Sequence, residues 1–243
     1  MRHKNSARSK LKSIDVVILC GGQGKRLRKI IKNIPKPMAK LKGRPFLDLL
    51  IGYAFGYGFR RFILCTGYKS RVIEGYYKKV SPSIRILFSR ESKPLGTAGA
   101  VRNAAGLIKS GAFLVMNGDS FCPLDLNKFY RFHKAKSALV SMALSKPQKR
   151  AKRVPDCGTV SLDSSRKVTG FTEKEKNRSP YVNAGIYFFK KAALSLIPKS
   201  KKMSLEYDLF PKLTGRKFYG YPVDGKLTDI GTPERYKEAK KYL

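Results

Sequence analysis

The sequence predicts an α/β fold built on a doubly wound, mostly parallel sheet, and three observations carry the prediction. The apolar run from Ile14 to Cys20 reads as a buried strand, and it ends in the glycine-rich stretch Gly21-Gly22-Gln23-Gly24. From there to Met116 short apolar runs alternate with helical patterns, the signature of βαβ units. Past Ala138 the chain becomes strand-rich, so a second part of different construction is expected.

The elements follow in order. Residues 1–12 are polar and cationic with no apolar period and read as a flexible basic arm, which leaves 13–243 as one folded domain. After the first strand and its loop, Pro45 stands in the first turn of a helix through Phe46 to Ile51, where its fixed φ is already helical. Arg61 to Cys65 makes a second strand ending in Thr66-Gly67. A helix near Lys69 to Lys79, a strand at Ile84 to Phe88, a helix from Thr97 to Ile108 and a strand at Ala112 to Met116 continue the alternation. Strands are then expected at Leu139 to Leu144, Gly158 to Leu162, Lys167 to Thr172, Tyr181 to Phe189 and Lys226 to Thr228, with basic loops among them. Thr232-Pro233-Glu234-Arg235 offers an N-cap, a first-turn proline and an early acid, and so opens a final helix.

Composition bounds the function. The 243 residues and 42% apolar content suit one globular core. No apolar run approaches the roughly 18 residues of a membrane span. The basic amino terminus lacks a secretory cleavage pattern, so a cytoplasmic protein without membrane partners is expected. Cys20, Cys65, Cys122 and Cys157 are too widely spaced for a zinc knot or a disulfide scaffold and read as buried, reduced thiols. The net charge of +36 raises nucleic-acid or polyanion binding as a rival function. Against it, the basic residues are spread along every helical pattern, and no RNP1 or zinc-finger spacing is present. A cationic surface also steers anionic small substrates.

Residues 21–38 combine the glycine turn with Lys25, Arg26, Arg28 and Lys36, cations suited to a triphosphate, so the chain is read as handling a nucleotide. Two common glycine motifs are excluded. A P-loop needs Ser or Thr after Gly24-Lys25 and a glycine where Leu19 stands; a dinucleotide fingerprint needs a glycine at Leu27, and Pro35 and Pro37 interrupt the helix it requires.

Further signals occur in a fixed order: Gly21-Gly22-Gln23-Gly24-Lys25-Arg26-Leu27, Pro35-Lys36-Pro37-Met38, Pro94-Leu95-Gly96-Thr97-Ala98-Gly99-Ala100, Asn117-Gly118-Asp119, Phe171-Thr172-Glu173-Lys174, Val182-Asn183-Ala184-Gly185 and Thr228-Asp229-Ile230-Gly231-Thr232-Pro233-Glu234. In these the chain resembles the sugar-1-phosphate nucleotidyltransferases over nearly its whole length. Gly43-Arg44-Pro45-Phe46-Leu47, Thr66-Gly67-Tyr68-Lys69 and Ser204-Leu205-Glu206-Tyr207-Asp208 make it most similar to the D-glycero-α-D-manno-heptose 1-phosphate guanylyltransferases within that family. The resemblance implies a Rossmann-like nucleotidyltransferase fold whose strand-rich part forms a lid over the sugar. It also implies a reaction between a nucleoside triphosphate, GTP favoured, and a sugar 1-phosphate. Mannose 1-phosphate with GTP and a hexose 1-phosphate with UTP are the alternatives.

The implied chemistry joins two anions, and a sugar phosphate is already ionised at neutral pH, so alignment and charge neutralisation matter more than a base. The scarcity of histidine fits. His3 lies in the arm, and His133 is expected on a helix surface. Arg26 and Lys36 are the expected catalytic pair, Lys36 held between two prolines. Asp119 and Asp229, each next to a strand end and a glycine, match the family positions for Mg2+; taken alone, either reads as a turn former. Leu19, Gly21, Gly22, Gly24, Lys25, Glu91, Gly96 and Thr97 are the nucleotide candidates, although the family usually carries Thr where Lys25 stands. A carboxylate at Glu91 accepts from the adjacent N1–H and N2–H₂ of guanine, which favours GTP; a rim salt bridge to Arg90 or Lys93 is the other reading. Asp119, Gly158, Glu173, Lys174, Asn183, Gly185 and Glu206 are the sugar-phosphate candidates, the glycines allowing close approach of the ring.

Overall fold

The structure is a computed structural model, and it describes residues 10–28, 30–78, 83–146, 158–172 and 180–243. Its strands and helices are, in order, β1 (Asp15–Leu19), β2 (Lys40–Leu41), β3 (Arg44–Pro45), α1 (Phe46–Gly56), β4 (Arg61–Thr66), α2 (Ser70–Tyr77), β5 (Arg85–Arg90), α3 (Gly96–Asn103), β6 (Ala112–Asn117), β7 (Ser120–Phe121) and α4 (Leu126–Ala135). They continue with β8 (Val140–Ser145), β9 (Thr159–Leu162), β10 (Val168–Thr172), β11 (Val182–Lys190), α5 (Phe210–Leu213), β12 (Phe218–Val223), β13 (Thr228–Asp229) and α6 (Pro233–Tyr242).

Among the described residues one nine-stranded sheet dominates, with the order β10-β9-β11-β6-β1-β4-β5 and with β8 and β12 leaving that path at β11. The stretch β6-β1-β4-β5 is parallel throughout, as the early alternation predicts. β1 runs between β4 and β6, and its residues bury on both faces. Val16 and Ile18 enter one core, with Phe46, Leu50 and Phe62; Val17 enters the other, with Val101, Val115 and Tyr187. A strand buried on both sides reads as an unbroken apolar run, which is why this one was legible. Beyond β6 the sheet becomes mixed: β11 pairs antiparallel to β6 and β8, and β12 parallel to β8.

Asp15 shows how the parallel half is tied together. It is fully buried, yet Arg61 Nε donates to it at 2.6 Å and the Lys109 and Ser110 amides donate at 2.7 and 2.8 Å. One carboxylate thus joins β1, β4 and the approach to β6.

Several expectations are corrected. Leu11 is 1% exposed and belongs to the core, so packed chain begins before Ser13 and the 1–12 boundary is too late; residues 1–9 lie outside the described residues. The helix expected to reach Ile108 stops at Asn103 and tightens into a 3₁₀ turn at Ala104–Gly106, where glycine weakens helical propagation. His133 is not on the surface. It is 3% exposed, with Nδ1 2.9 Å from Ser141 Oγ, on the amphipathic face of α4 that covers Phe188. β12 escaped the sequence reading because Gly220 and Pro222 are depleted in strands; it pairs parallel with β8 on one side, and on the other it meets the turn before β10, Tyr219 bridging Lys167 and Gly220 N donating to the Arg166 carbonyl at 2.9 Å. Thr232 does cap α6, its hydroxyl accepting from Arg235 N at 3.3 Å.

Candidate active site

The carboxyl ends of β1, β4, β5 and β6 open into one cavity of about 700 Å³. This is the switch point of the parallel half, where chain connections leave β1 in opposite directions and open α/β sheets bind ligands. Leu19, Gly21, Gly22, Gly24, Lys25, Lys36, Glu91, Gly96, Thr97 and Asp119 line it, so ten of the predicted residues converge there from the ends of β1, β5 and β6 and the segments that follow them.

Lys36 begins a 3₁₀ turn, Lys36–Met38, entered from an extended Pro35. Its Nζ donates to Asp119 Oδ2 at 2.6 Å, with side-chain exposures of 14% and 38%. The stem passes beside Gly24, whose φ of +57° already disfavours a side chain. Asp229 reaches the same neighbourhood by a different route. β13 pairs antiparallel with β7, Asp229 opposite Ser120, and Ile230 N donates to the Asp119 carbonyl at 3.0 Å. The Asp229 carboxylate accepts from Gly231 N at 2.8 Å and from Arg235 Nη1 at 3.2 Å. Arg26 is exposed and does not line the cavity; its guanidinium lies by this turn, 3.8 Å from where a Cβ on Gly231 would stand.

Glu91 occupies another wall. Its Oε2 accepts from Leu95 N at 3.1 Å, and its Oε1 fills the space of a missing Cβ on Gly21, 2.6 Å from that point, and likewise on Gly67. Burial raises its carboxyl pKa, and the Leu95 amide opposes the rise. The expected alternative, a bridge from Arg90, is not made. Arg90 instead holds Glu74, with Nε 3.0 Å from Oε1 and a second contact through Nη2, and this pairing draws the Glu74 carboxyl below its ordinary range.

Residues 15–243 match the nucleotidyl transferase family. The chain belongs to that family. It is 37% identical over 231 residues to a D-glycero-α-D-manno-heptose 1-phosphate guanylyltransferase of Aneurinibacillus thermoaerophilus, covering 95% of this chain and 98% of that one. It is 35% identical over 223 residues to a Campylobacter jejuni protein of the same name, covering 92% and 97%. The solved structure of HddC from Yersinia pseudotuberculosis superimposes with a TM-score of 0.80 at 34% identity, over 94% of this chain and 98% of the other; a second structure of HddC is complexed with GMP-PN.

The sugar candidates of this nucleotidyl transferase are arranged less openly. Asn183 is buried on β11, donating from Nδ2 to Tyr187 Oη at 2.8 Å and accepting at Oδ1 from Gly185 N at 2.9 Å. Gly185 has φ of +73°, and a Cβ there would stand 2.7 Å from Ser120 Oγ and 2.9 Å from Asn117 Nδ2. Its lack of a side chain admits these two protein side chains. The Gly158 carbonyl accepts from Asn183 N at 2.9 Å. Glu206 lies on a π-helical turn, Leu205–Leu209, and accepts from Thr97 Oγ1 at 2.7 Å and Ser204 Oγ at 2.8 Å. Glu173 and Lys174 lie outside the described residues.

Other lining residues had been given no role of their own beforehand: Tyr68, Asn117 and Lys202. Lys202 arrives because the Met203 carbonyl accepts from Ala98 N at 2.9 Å and Gly99 N at 3.1 Å, capping α3 from a segment about a hundred residues away. In sequence it was one lysine of a basic run. Asn117 was visible only as part of the Asn117-Gly118-Asp119 motif.

Proposed function

We propose that this nucleotidyl transferase uses GTP and D-glycero-α-D-manno-heptose 1-phosphate to make GDP-heptose and pyrophosphate. The observation that carries the reading is the cavity holding both the Lys36–Asp119 pair and a Glu91 carboxylate that Arg90 leaves unclaimed. The names borne by the relatives that match almost end to end support the choice of sugar. An oxygen of the sugar phosphate attacks the α-phosphorus of GTP, the bond to the β-phosphate oxygen breaks, and pyrophosphate leaves. The nucleophile needs no deprotonation, so the chain's task is to align two anions and neutralise their charge.

Lys36 exchanges its contact with Asp119 for an α-phosphate oxygen, and Arg26 serves the distal phosphates. Glu91 accepts from N1–H and N2–H₂ of guanine while Leu95 N holds it in place. Asp229 on β13 and Asp119 in the turn just before its partner strand β7 are hard oxygen donors, and among the described residues no cluster of three or more His, Cys, Asp or Glu surrounds them. Such a sparse carboxylate set fits Mg2+, whose remaining positions go to water and phosphate; when bound it offsets phosphate charge. Among the described residues no helix is long and apolar enough to cross a membrane, and Cys20, Cys65 and Cys122 are buried free thiols, which agrees with a cytoplasmic enzyme.

Pyrophosphate release tests the proposal, with GTP, UTP, CTP, ATP and dTTP crossed against heptose, mannose and glucose 1-phosphates in Mg2+, and repeated with EDTA. GTP with the heptose phosphate is expected to win and EDTA to stop it. A different winning pair removes the sugar or the base assignment. A Mycobacterium tuberculosis relative, 35% identical over 62% of its own length, is a mannose-1-phosphate guanylyltransferase, so mannose 1-phosphate is the competitor to watch.

A further inference from the structure

Resting on that reading of Glu91, we propose that Glu74 is a positioning residue for nucleobase choice: it holds the Arg90 guanidinium outside the cavity and so keeps the neighbouring Glu91 carboxylate free to accept from guanine. Glu74 lies on α2 and is 8% exposed, and neither it nor Arg90 lines the cavity. It reaches the ends of two adjacent strands at once. Thr66 Oγ1, closing β4, donates to Glu74 Oε1 at 3.1 Å; Arg90, closing β5, donates from Nε to Oε1 at 3.0 Å and from Nη2 to Oε2. Thr66 and Arg90 are register partners, and Glu91 N donates to the Thr66 carbonyl at 2.9 Å. From the α3 side Asn103 Nδ2 donates to the Arg90 carbonyl at 3.2 Å. The side chain and the backbone of Arg90 are therefore gripped from two helices, just where Gly67 and Glu91 enter the cavity.

Stability alone is a weak reason for this pair. The Arg90 side chain is 54% exposed, so solvent screens the attraction, while covering the Glu74 carboxylate costs desolvation. What the pair does decide is where a charge goes. In a chain of net charge +36 a carboxylate at the rim of a cavity attracts any nearby cation that lacks a partner, and Arg90 is its neighbour in sequence. A guanidinium fork occupies both oxygens of a carboxylate, and Glu91 so occupied has nothing left for the adjacent N1–H and N2–H₂ of guanine. Glu74 offers Arg90 that two-pronged partner elsewhere. Among the described residues Glu91 forms no ion pair, and its Oε2 takes the Leu95 amide at 3.1 Å. The selectivity of Glu91 thus depends on a second carboxylate that touches neither substrate.

The test compares kcat/KM for GTP, UTP and inosine triphosphate, which lacks the 2-amino donor, in wild type, Glu74→Gln, Glu74→Gln/Arg90→Leu and Glu91→Gln, with a thermal melt of each. Glu74→Gln keeps the shape and an acceptor for Thr66 but loses the charge that holds Arg90. It should lower the preference for GTP over both other nucleotides by about tenfold, the worth of one charge-assisted contact. Adding Arg90→Leu should bring the preference back to within about twofold of wild type, since the competing cation is gone. A purely structural Glu74 would not show this rescue, because the double variant has lost both partners of the clamp. An unchanged preference in Glu74→Gln, or a double variant as unselective as the single one, would overturn the proposal. If Glu74→Gln does not fold, Glu74→Gln/Arg90→Leu is compared with Glu74→Gln/Arg90→Lys: the leucine variant should stay selective and the lysine variant should not, and equal preferences would overturn the proposal. Glu91→Gln separates the two layers. If it leaves the preference intact, the base-reading role of Glu91 falls and this inference with it; if it lowers the preference while Glu74→Gln does not, only this inference falls.

Discussion

The parallel half of the sheet and its mixed half position functional groups in opposite ways. In the parallel half each candidate sits in the loop directly after a strand: Gly21 to Lys25 after β1, Gly67 after β4, Glu91 after β5, and Asn117 to Asp119 around the end of β6. Local chain order delivers them to the cavity. In the mixed half Asn183, Gly185 and Glu206 are engaged by Tyr187, Ser120 and Thr97, partners on other elements or several residues away. There the side chains build the walls first. Motifs therefore locate the triphosphate side readily, while the sugar side depends on how β11, the Leu205–Leu209 turn and β13 are brought against it.

The comparison can be broken most severely at the buried carboxylate of the parallel half. Asp15→Ala leaves Arg61 buried without its partner and should cost about 3–5 kcal/mol of stability, measured by urea unfolding. A loss under about 1 kcal/mol would mean that β1 and β4 are held by packing alone. Asp119→Asn should leave the melt unchanged and lower kcat by about 10²- to 10³-fold, the scale of losing one preorganised electrostatic group, as read by single-turnover pyrophosphate release. Equal turnover would remove Asp119 from the chemistry. Glu91→Gln should shrink the preference for GTP over UTP by about tenfold to hundredfold, or about 1–3 kcal/mol, in a competition assay. An unchanged ratio would free Glu91 from base reading.

The mildest test concerns the mixed half. Burial, helped by Lys134 and Lys190, lowers the His133 pKa from 6.5 to about 4. The unfolded chain then binds more protons than the folded one between those values, so stability is full above pH 6.5 and falls as pH drops toward 4. About 1–2 kcal/mol should be lost by about pH 5, at 1.36 kcal/mol per unit. His133→Leu should flatten that slope; an identical slope would place the acid sensitivity elsewhere.

His133 also illustrates what was illegible. Its neighbours in sequence, Arg131 and Lys134, are exactly the kind of residue that marks a solvated face, yet the helical period turns His133 toward Ser141 and Phe188. Gly185 was read for its permissiveness, and the groups beside the space its missing side chain leaves come from β6 and β7. Lys202 gave no signal beyond its charge, because its place in the cavity follows from the Met203 carbonyl capping α3.

The sequence by itself determined the α/β class, the buried strand β1 with its glycine turn, the α6 cap, and the family. Each is written in contiguous residues, through apolar period, turn chemistry or motif order. Only the tertiary structure decided that Lys36 meets Asp119, that Asp229 comes beside it through the β7–β13 ladder, and that Arg90 chooses Glu74 over its neighbour. Those contacts join residues far apart in the chain. They depend on sheet order, register and competition between nearby partners, none of which local sequence encodes.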